Sequence, residues 1–322
     1  MTQTIARAAA ARAAAAPWQV WTALGTVYLV WGSTYLAIRV VVRTLPPITS
    51  AGLRFVAATV LTGGYVLARR GPGAFRVPAR QALTAGAVGI LLLLGGNGLV
   101  NLGERSLPSG LTALLVALVP LFVVVIRAVL GERPRWVTVV GVIVGFGGVA
   151  LLLVSSGGGA LHGRGLLIVG AALSWAAGSV LASRGSLPAM PAVAITLESA
   201  AGGVAMLLVG ALSGERLHPA QVSGQSWLAL LYLIVAGSVV AFSAYSWLLG
   251  VAPIGQVATY AYVNPVVAVF LGAVLLGEPV GAPVVAGGLL VVAAVAIVVR
   301  SESPSKRAAQ APAPVAVNPP GR

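Results

Sequence analysis

Two residue types with wide chemical use are missing from this chain of 322 residues. There is no cysteine and no aspartate. Without cysteine there is no disulfide, no thiol nucleophile and no cysteine metal site. Only six acidic residues remain, all glutamate, with two histidines, His162 and His218, both expected in loops. A membrane protease or metal enzyme needs a dyad or a ligand cluster, and none can be assembled from this set. A phosphate-cradling Walker A loop is also absent, which excludes ATP-driven work by this chain. Charge is scarce overall: 8% of residues are charged against 58% hydrophobic. A soluble domain of this size cannot hide so much apolar surface, so lipid is the expected solvent.

Apolar runs of about 20 residues recur along nearly the whole length, enough to cross the hydrocarbon core as helices. Ten are expected, over 18–38, 46–68, 81–103, 107–130, 136–155, 163–183, 189–212, 225–249, 252–276 and 280–299. Short loops make sequential helices neighbours. The 41 glycines suit close packing of membrane helices through small residues. Residues 1–17 are Ala/Arg-rich. A cleaved signal peptide is the competing reading; it is set aside because the span that follows is full-length and belongs to the repeat below. That leaves 1–17 as a surface segment on the cytoplasmic side. The Pro/Ala-rich tail 301–322 is expected to be disordered, also in the cytoplasm.

The stretch 107–153 occurs twice, its second copy being 252–298. Pro108, Gly110 and Pro120 match Pro253, Gly255 and Pro265 at an offset of 145, and Gly131, Glu132 and Gly141 match Gly277, Glu278 and Gly287 at 146. Such internal symmetry in a membrane chain points first to a transporter. Two halves follow, 18–156 and 157–300, each of five helices. An odd number per half makes the second enter from the opposite face, so the repeats are inverted. With both termini inside, fourteen Arg and Lys fall in inside segments and five in outside ones, as the positive-inside rule requires. The first copy's turn, GERPR, is basic and inside; the second copy's, GEPVGAP, has no basic residue and is outside.

The net charge of +14 does not indicate nucleic acid. The arginines sit in short loops and tails, where they orient the chain and meet anionic lipid headgroups.

A charge at the bilayer centre costs about 2.5–3.5 kcal/mol on insertion scales. Arg54 in helix two and Glu198 in helix seven stand 144 apart, near-equivalents in the repeat. They are candidates for a charge pair or a coupling site, with a proton as the coupling ion. A snorkelling arginine and an interfacial glutamate is the plainer alternative. Pro120 and Pro265 should kink helices four and nine and line a cavity. Tyr260, Tyr262 and Asn264 precede the second kink, a cluster suited to a partly apolar ligand. Asn97 and Asn101 share one face of helix three. Trp31, Ser33, Thr34 and Tyr35, then Trp175 and Ser179, then Tyr245 complete the candidate substrate cavity. Glu132 and Glu278 are read as turn residues that take hydrogen bonds from the amides of the following helix.

The ordered set VWGSTYLAIR (30–39), GLRF (52–55), GNG (96–98), LPSGLTALLVALVPLF (107–122), GERP and TYAYVNPVVAV (259–269) resembles the EamA-type permeases of the drug/metabolite transporter superfamily, most of all its bacterial exporter branch. The resemblance covers roughly 18–300. It implies an all-α membrane protein of ten helices, two inverted five-helix repeats around a central cavity. It also implies export of small metabolites, amino acids or toxic compounds across the bacterial inner membrane, and fixes neither cargo nor driving force.

The expectation is therefore a secondary-active, alternating-access exporter of a small molecule, without cofactor or metal, as a monomer or weak homodimer. An importer or exchanger on the same fold is the alternative within transporters. A non-transporting membrane sensor or partner protein is the alternative of another class.

Overall fold

The computed structural model describes residues 16–155 and 160–302. The expectations for the N-terminal segment and the tail therefore lie outside the described residues, save for Ala16, Pro17, Ser301 and Glu302. Among the described residues there is no β-strand. The helices are α1 Pro17–Val41, α2 Pro47–Arg70, α3 Ala79–Glu104, α4 Ser109–Val129, α5 Trp136–Ser155, α6 Ala160–Arg184, α7 Pro191–Leu212, α8 (224–251), α9 Tyr260–Leu276 and α10 Ala282–Glu302. Among the described residues nine helices are long and apolar enough to cross a membrane, and α9 is a shorter apolar one. The first backbone turn of α6 includes His162, which was expected in a loop.

Local chemistry explains the helix ends. Pro17, Pro47 and Pro191 sit in the first turns of α1, α2 and α7. Proline lacks the N–H that a first turn leaves unpaired, and its φ is already helical. At the other end, α2, α4, α7 and α9 run into Gly71, Gly131, Gly214 and Gly277, all with φ between 66° and 92°. A side chain is disfavoured there, so glycine stops the helix. These four are two repeat-related pairs, α2 with α7 and α4 with α9.

The halves are related by inversion, and side-chain contacts show it. The start of α4 lies at the end of α9, where Ser109 meets Glu278. The start of α2 lies at the end of α7, where Thr49 meets Glu215. The start of α5 lies at the end of α10, where Thr138 Oγ1 donates to Glu302 at 3.0 Å. Each pair is antiparallel and joins one helix to its counterpart. Small residues allow the close approach. In the α5–α10 pair a Cβ on Gly148 would lie 3.0 Å from the Gly287 carbonyl oxygen, and one on Gly287 would lie 2.9 Å from that of Gly148. Val60, Leu83, Ile143, Leu208, Phe270 and Leu289 are exposed around the outside, an apolar belt for acyl chains.

With ten helices, Pro17 and Glu302 end on the same side of the bundle, here called the terminal side; the other is the far side. On the far side α4 and α9 pack tightly: a Cβ on Gly110 would lie 2.9 Å from Val269 Cα, and Ser109 Oγ lies beside Gly272. By the repeat, the matching contact on the terminal side would join Val119–Val129 to the single turn Ile254–Val257. Among the described residues no comparable packing joins them. Val119–Val129 packs on α6, while Val257 joins Leu24, Val27 and Leu248 of α1 and α8. Among the described residues α4 and α9 therefore meet closely on the far side and show no comparable contact on the terminal side.

Helix four breaks at Ala117–Leu118, and Pro120 sits in the first turn of its second half, Val119–Val129. The proline ring clashes with the carbonyl four residues back, so a break there is the expected kink. Helix nine differs. Pro265 lies inside Tyr260–Leu276, and the break falls earlier, at Ala258–Thr259.

Candidate functional site

The inner ends of α1, α8 and α9 build an aromatic cluster. The Trp31 ring lies 5.2 Å from those of Tyr245 and Tyr260, and these two lie 5.6 Å apart, edge to face. Such pairs gain about 0.5–1.5 kcal/mol beyond their buried area. The indole N–H of Trp31 donates to the Gly237 carbonyl at 3.1 Å, fixing the ring. Tyr28 is hydrogen-bonded to Thr259 at the break before α9. The sequence-derived candidates Trp31, Tyr245 and Tyr260 are thus brought together.

The other candidates fall elsewhere. Tyr35 and Tyr262 pack on the main apolar core, toward the far side. Thr34 and Ser179 donate to carbonyls within their own helices, of Trp31 at 2.6 Å and Trp175 at 2.9 Å. Ser33 is hydrogen-bonded to Tyr232 at 2.6 Å. Asn97 and Asn101 are buried, and the Asn101 amide donates to the Asn97 carbonyl at 2.8 Å. Asn264 is buried with its amide oxygen unpaired.

A symmetry that periodicity does not show is the π-helical winding of α3 over Ile90–Gly98 and of α8 over Leu233–Val240. These are equivalent helices of the two repeats. Each widened stretch receives a tryptophan from the partner half. Trp31 of α1 bonds to Gly237 in α8, and Trp175 of α6 packs on Gly96 in α3, where a Cβ would lie 2.7 Å from the ring. π-helical turns inside α-helices often mark functional positions. The GNG and AGS segments supplied the signal: small residues there admit the neighbouring ring.

Arg54 is buried in α2, where its Nε donates to Ser238 Oγ at 3.1 Å and its guanidinium lies over Phe55. Glu198 is partly buried on α7, with its backbone carbonyl against Gly89. Among the described residues no ion pair joins them. Nor does any group of three or more His, Cys, Asp or Glu residues offer a metal site.

Three helices end in a Gly-Glu turn whose glycine has a positive φ. After Gly131, Gly214 and Gly277 the next amide returns to the helix end: Glu132 N–H to Arg127, Glu215 to Gly210 and Glu278 to Gly272. This gives the three glutamates similar backbone geometry. Glu215 takes hydrogen bonds from the Ile48 and Thr49 amides at 3.2 and 2.7 Å and from the Thr49 hydroxyl at 2.7 Å. Glu278 takes them from the Ser109 amide and hydroxyl at 2.7 and 3.0 Å and from the Gly110 amide at 3.1 Å. Each thus caps a helix N-terminus, which favours negative charge. The helix capped by Glu278 is α4, of the opposite repeat, and not the following helix as expected.

Glu132 behaves otherwise. Its two oxygens are taken by Arg127 and Arg184, and not by the amides of α5. Hydrogen bonds from Arg127 and then Arg184 hold its carboxyl down at about 2.

Sequence reasoning missed Glu104, at the end of α3. It is fully buried, and among the described residues neither carboxylate oxygen has a hydrogen-bond partner. Arg39, in the last turn of α1, donates to the backbone carbonyl of Glu104.

Residues 18–154 and 164–300 each match the EamA-like transporter family. The chain is 40% identical over 260 residues to the inner membrane transporter YedA of Escherichia coli K12, covering 80% of this chain and 82% of that one. It is 28% identical over 300 residues to a probable terminal-alkyne amino-acid exporter of Streptantibioticus cattleyicolor, with 91% and 97% covered. It is 27% identical over 288 residues to a probable amino-acid metabolite efflux pump of Salmonella typhimurium, with 83% and 90% covered. A crystal structure at 22% identity shares the fold, with a TM-score of 0.61 over 88% of this chain and 96% of the other. Two matched stretches and ten apolar helices in inverted halves agree: the chain belongs to the EamA-like transporter family.

Proposed function

We propose that this protein is a secondary-active exporter of small organic metabolites, amino acids or related compounds, across the bacterial inner membrane. Both termini face the cytoplasm, as the arginine distribution favours. The cycle is alternating access, with the two halves rocking about the cleft. One observation carries this reading: repeat-equivalent turns are in opposite states. Glu278 caps α4 and seals the far side, while Glu132 is held by Arg127 and Arg184 on the terminal side, where the described residues show no comparable contact. In the opposite state Glu132 would move to the first-turn amides of Ile254–Val257, which match those of Ser109 and Gly110 in the repeat, and Glu278 would let go.

The aromatic cluster of Trp31, Tyr245 and Tyr260 suits a cargo with an apolar part. Relatives named for amino-acid export support the cargo class. The test is flux in liposomes holding only this protein, across amino acids, their toxic analogues and lipophilic drugs. Flux of one class, lost in Glu278→Gln, supports the reading. No flux across the panel in sealed vesicles overturns it.

A further inference from the structure

We infer that Glu104 is a proton-binding site whose occupancy is linked to closure of the far side. The inference rests on the alternating-access reading and adds to it what the cycle exchanges with solvent.

Glu104 is fully buried and, among the described residues, its two carboxylate oxygens have no hydrogen-bond donor. This sets it apart from Glu215 and Glu278, which take three hydrogen bonds each. A buried carboxylate is normally paired, or it sheds its charge by taking a proton. Arg39 is in electrostatic reach, yet it donates to the Glu104 backbone carbonyl and not to the carboxylate. The other ionisable groups in reach are Glu278, a second negative charge, and Tyr35 on α1. Glu278 reaches this place only because it caps Ser109 and Gly110, five and six residues beyond Glu104. Capping therefore does two things to Glu104 at once: it seals the site from water on the far side, and it brings a carboxylate opposite it.

Closing thus buries a carboxylate that no donor meets, beside a second carboxylate. Closing the far side over the neutral acid avoids the cost of closing it over the anion. By linkage, lower pH then favours the closed form, and opening the far side releases the proton. The ligand is a proton and not a metal cation: the site has no preformed set of oxygen ligands, since the oxygens of Glu278 already accept from the α4 amides.

The chain has no cysteine, so introduced cysteines report alone. Spin labels on Ser106→Cys and Val280→Cys flank the far-side seal. Distances are measured in lipid nanodiscs from pH 5 to 9, with sodium and with choline as the cation. The expected result is two distances, with the closed-to-open ratio falling as pH rises, by at most about tenfold per pH unit, the limit for one proton. In Glu104→Gln the closed distance should dominate at every pH, and Glu104→Asp should keep the pH response. A Glu104→Gln protein that titrates like its parent overturns the proton site, as does a parent that follows sodium and ignores pH. Glu278→Gln separates the two readings. If it and the parent both hold one unchanging distance, alternating access fails and the proton site fails with it. If Glu278→Gln opens the far side while the parent ignores pH, only the proton site fails.

Discussion

The carboxylate of Glu278 accepts from both the amide and the hydroxyl of Ser109, at 2.7 and 3.0 Å, and so ties the end of one helix to the start of its counterpart in the other repeat. Charged hydrogen bonds of this kind contribute about 1.5–3 kcal/mol each. That is small enough to break on the timescale of a transport cycle and large enough to hold one state. Glu132, its equivalent, has the same turn and different partners. The partners differ in sequence too: by the repeat offsets Ala273 stands where Arg127 does, and Ile254 where Ser109 does.

Glu278→Gln keeps one acceptor oxygen and turns an N–H donor toward the donors of α4. The far-side seal should weaken by about tenfold or more, one to two charged hydrogen bonds. Thr112→Cys, at a fully buried position on α4, gives the readout. A membrane-impermeant maleimide added from the far side should label it faster in the Glu278→Gln background. Equal labelling rates would show that Glu278 does not hold the seal.

Glu132 has a lowered carboxyl, so it is ionised whenever pH exceeds about 2. An unfolded chain would titrate it near about 4.3. Its ion pairs thus contribute fully above that value and fade only as pH falls toward the native one. Between pH 5 and 8 the contacts to Arg127 and Arg184 should not respond to pH. Infrared spectra of the purified protein, with Glu132→Gln as the difference reference, should show a Glu132 carboxylate band at pH 4. Arg127→Gln should move its loss upward in pH. A parent band that disappears near pH 5 would contradict the pairing.

Much of this fold was legible because lipid demands long apolar helices and the repeat is written in prolines, glycines and Gly-Glu pairs at a constant offset. What escaped was what depends on three-dimensional approach. Glu104 reads as the edge of a loop, since an isolated charge ends an apolar run; only packing shows it sealed inside. Glu215 was passed over, although Gly214-Glu215 repeats the pattern of Gly131-Glu132 and Gly277-Glu278, and that recurrence was the available signal. Thr34 and Ser179 look like cavity groups by type, yet their hydroxyls bond to carbonyls one turn back, as these residues do in helices lacking water. The π-helical turns of α3 and α8 leave no periodic trace in an apolar stretch.

The α5–α10 pair depends on mutual glycine contact. A Cβ on Gly287 would stand 2.7 Å from Leu152 Cγ and 2.9 Å from the Gly148 carbonyl oxygen. Backbone cannot yield as a flexible side chain does. Gly287→Leu should lose at least about 1–3 kcal/mol through overpacking, read as a lower melting temperature in detergent by fluorescence-detected gel filtration. Gly147→Ala is the control, because a Cβ there meets nothing within 4 Å. It should melt with the parent.

Trp31 separates a packing role from a polar one. Its ring touches Tyr245 and Tyr260, and its N–H holds the Gly237 carbonyl in the π-helical stretch of α8. Trp31→Phe keeps an aromatic face and drops the hydrogen bond. The lost bond is worth about 0.5–1.5 kcal/mol, so transport should fall about two- to tenfold. Trp31→Ala also removes the ring contacts and should cost more. If cargo stacks on this cluster, the Ala variant should raise the half-saturating concentration more than it lowers the maximal rate, and Phe should restore most of the affinity. If the ring only packs helices, both variants should lower the amount of folded protein and leave the half-saturating concentration of the remainder unchanged. Flux normalised to folded protein, measured over a range of cargo concentration, decides between the two.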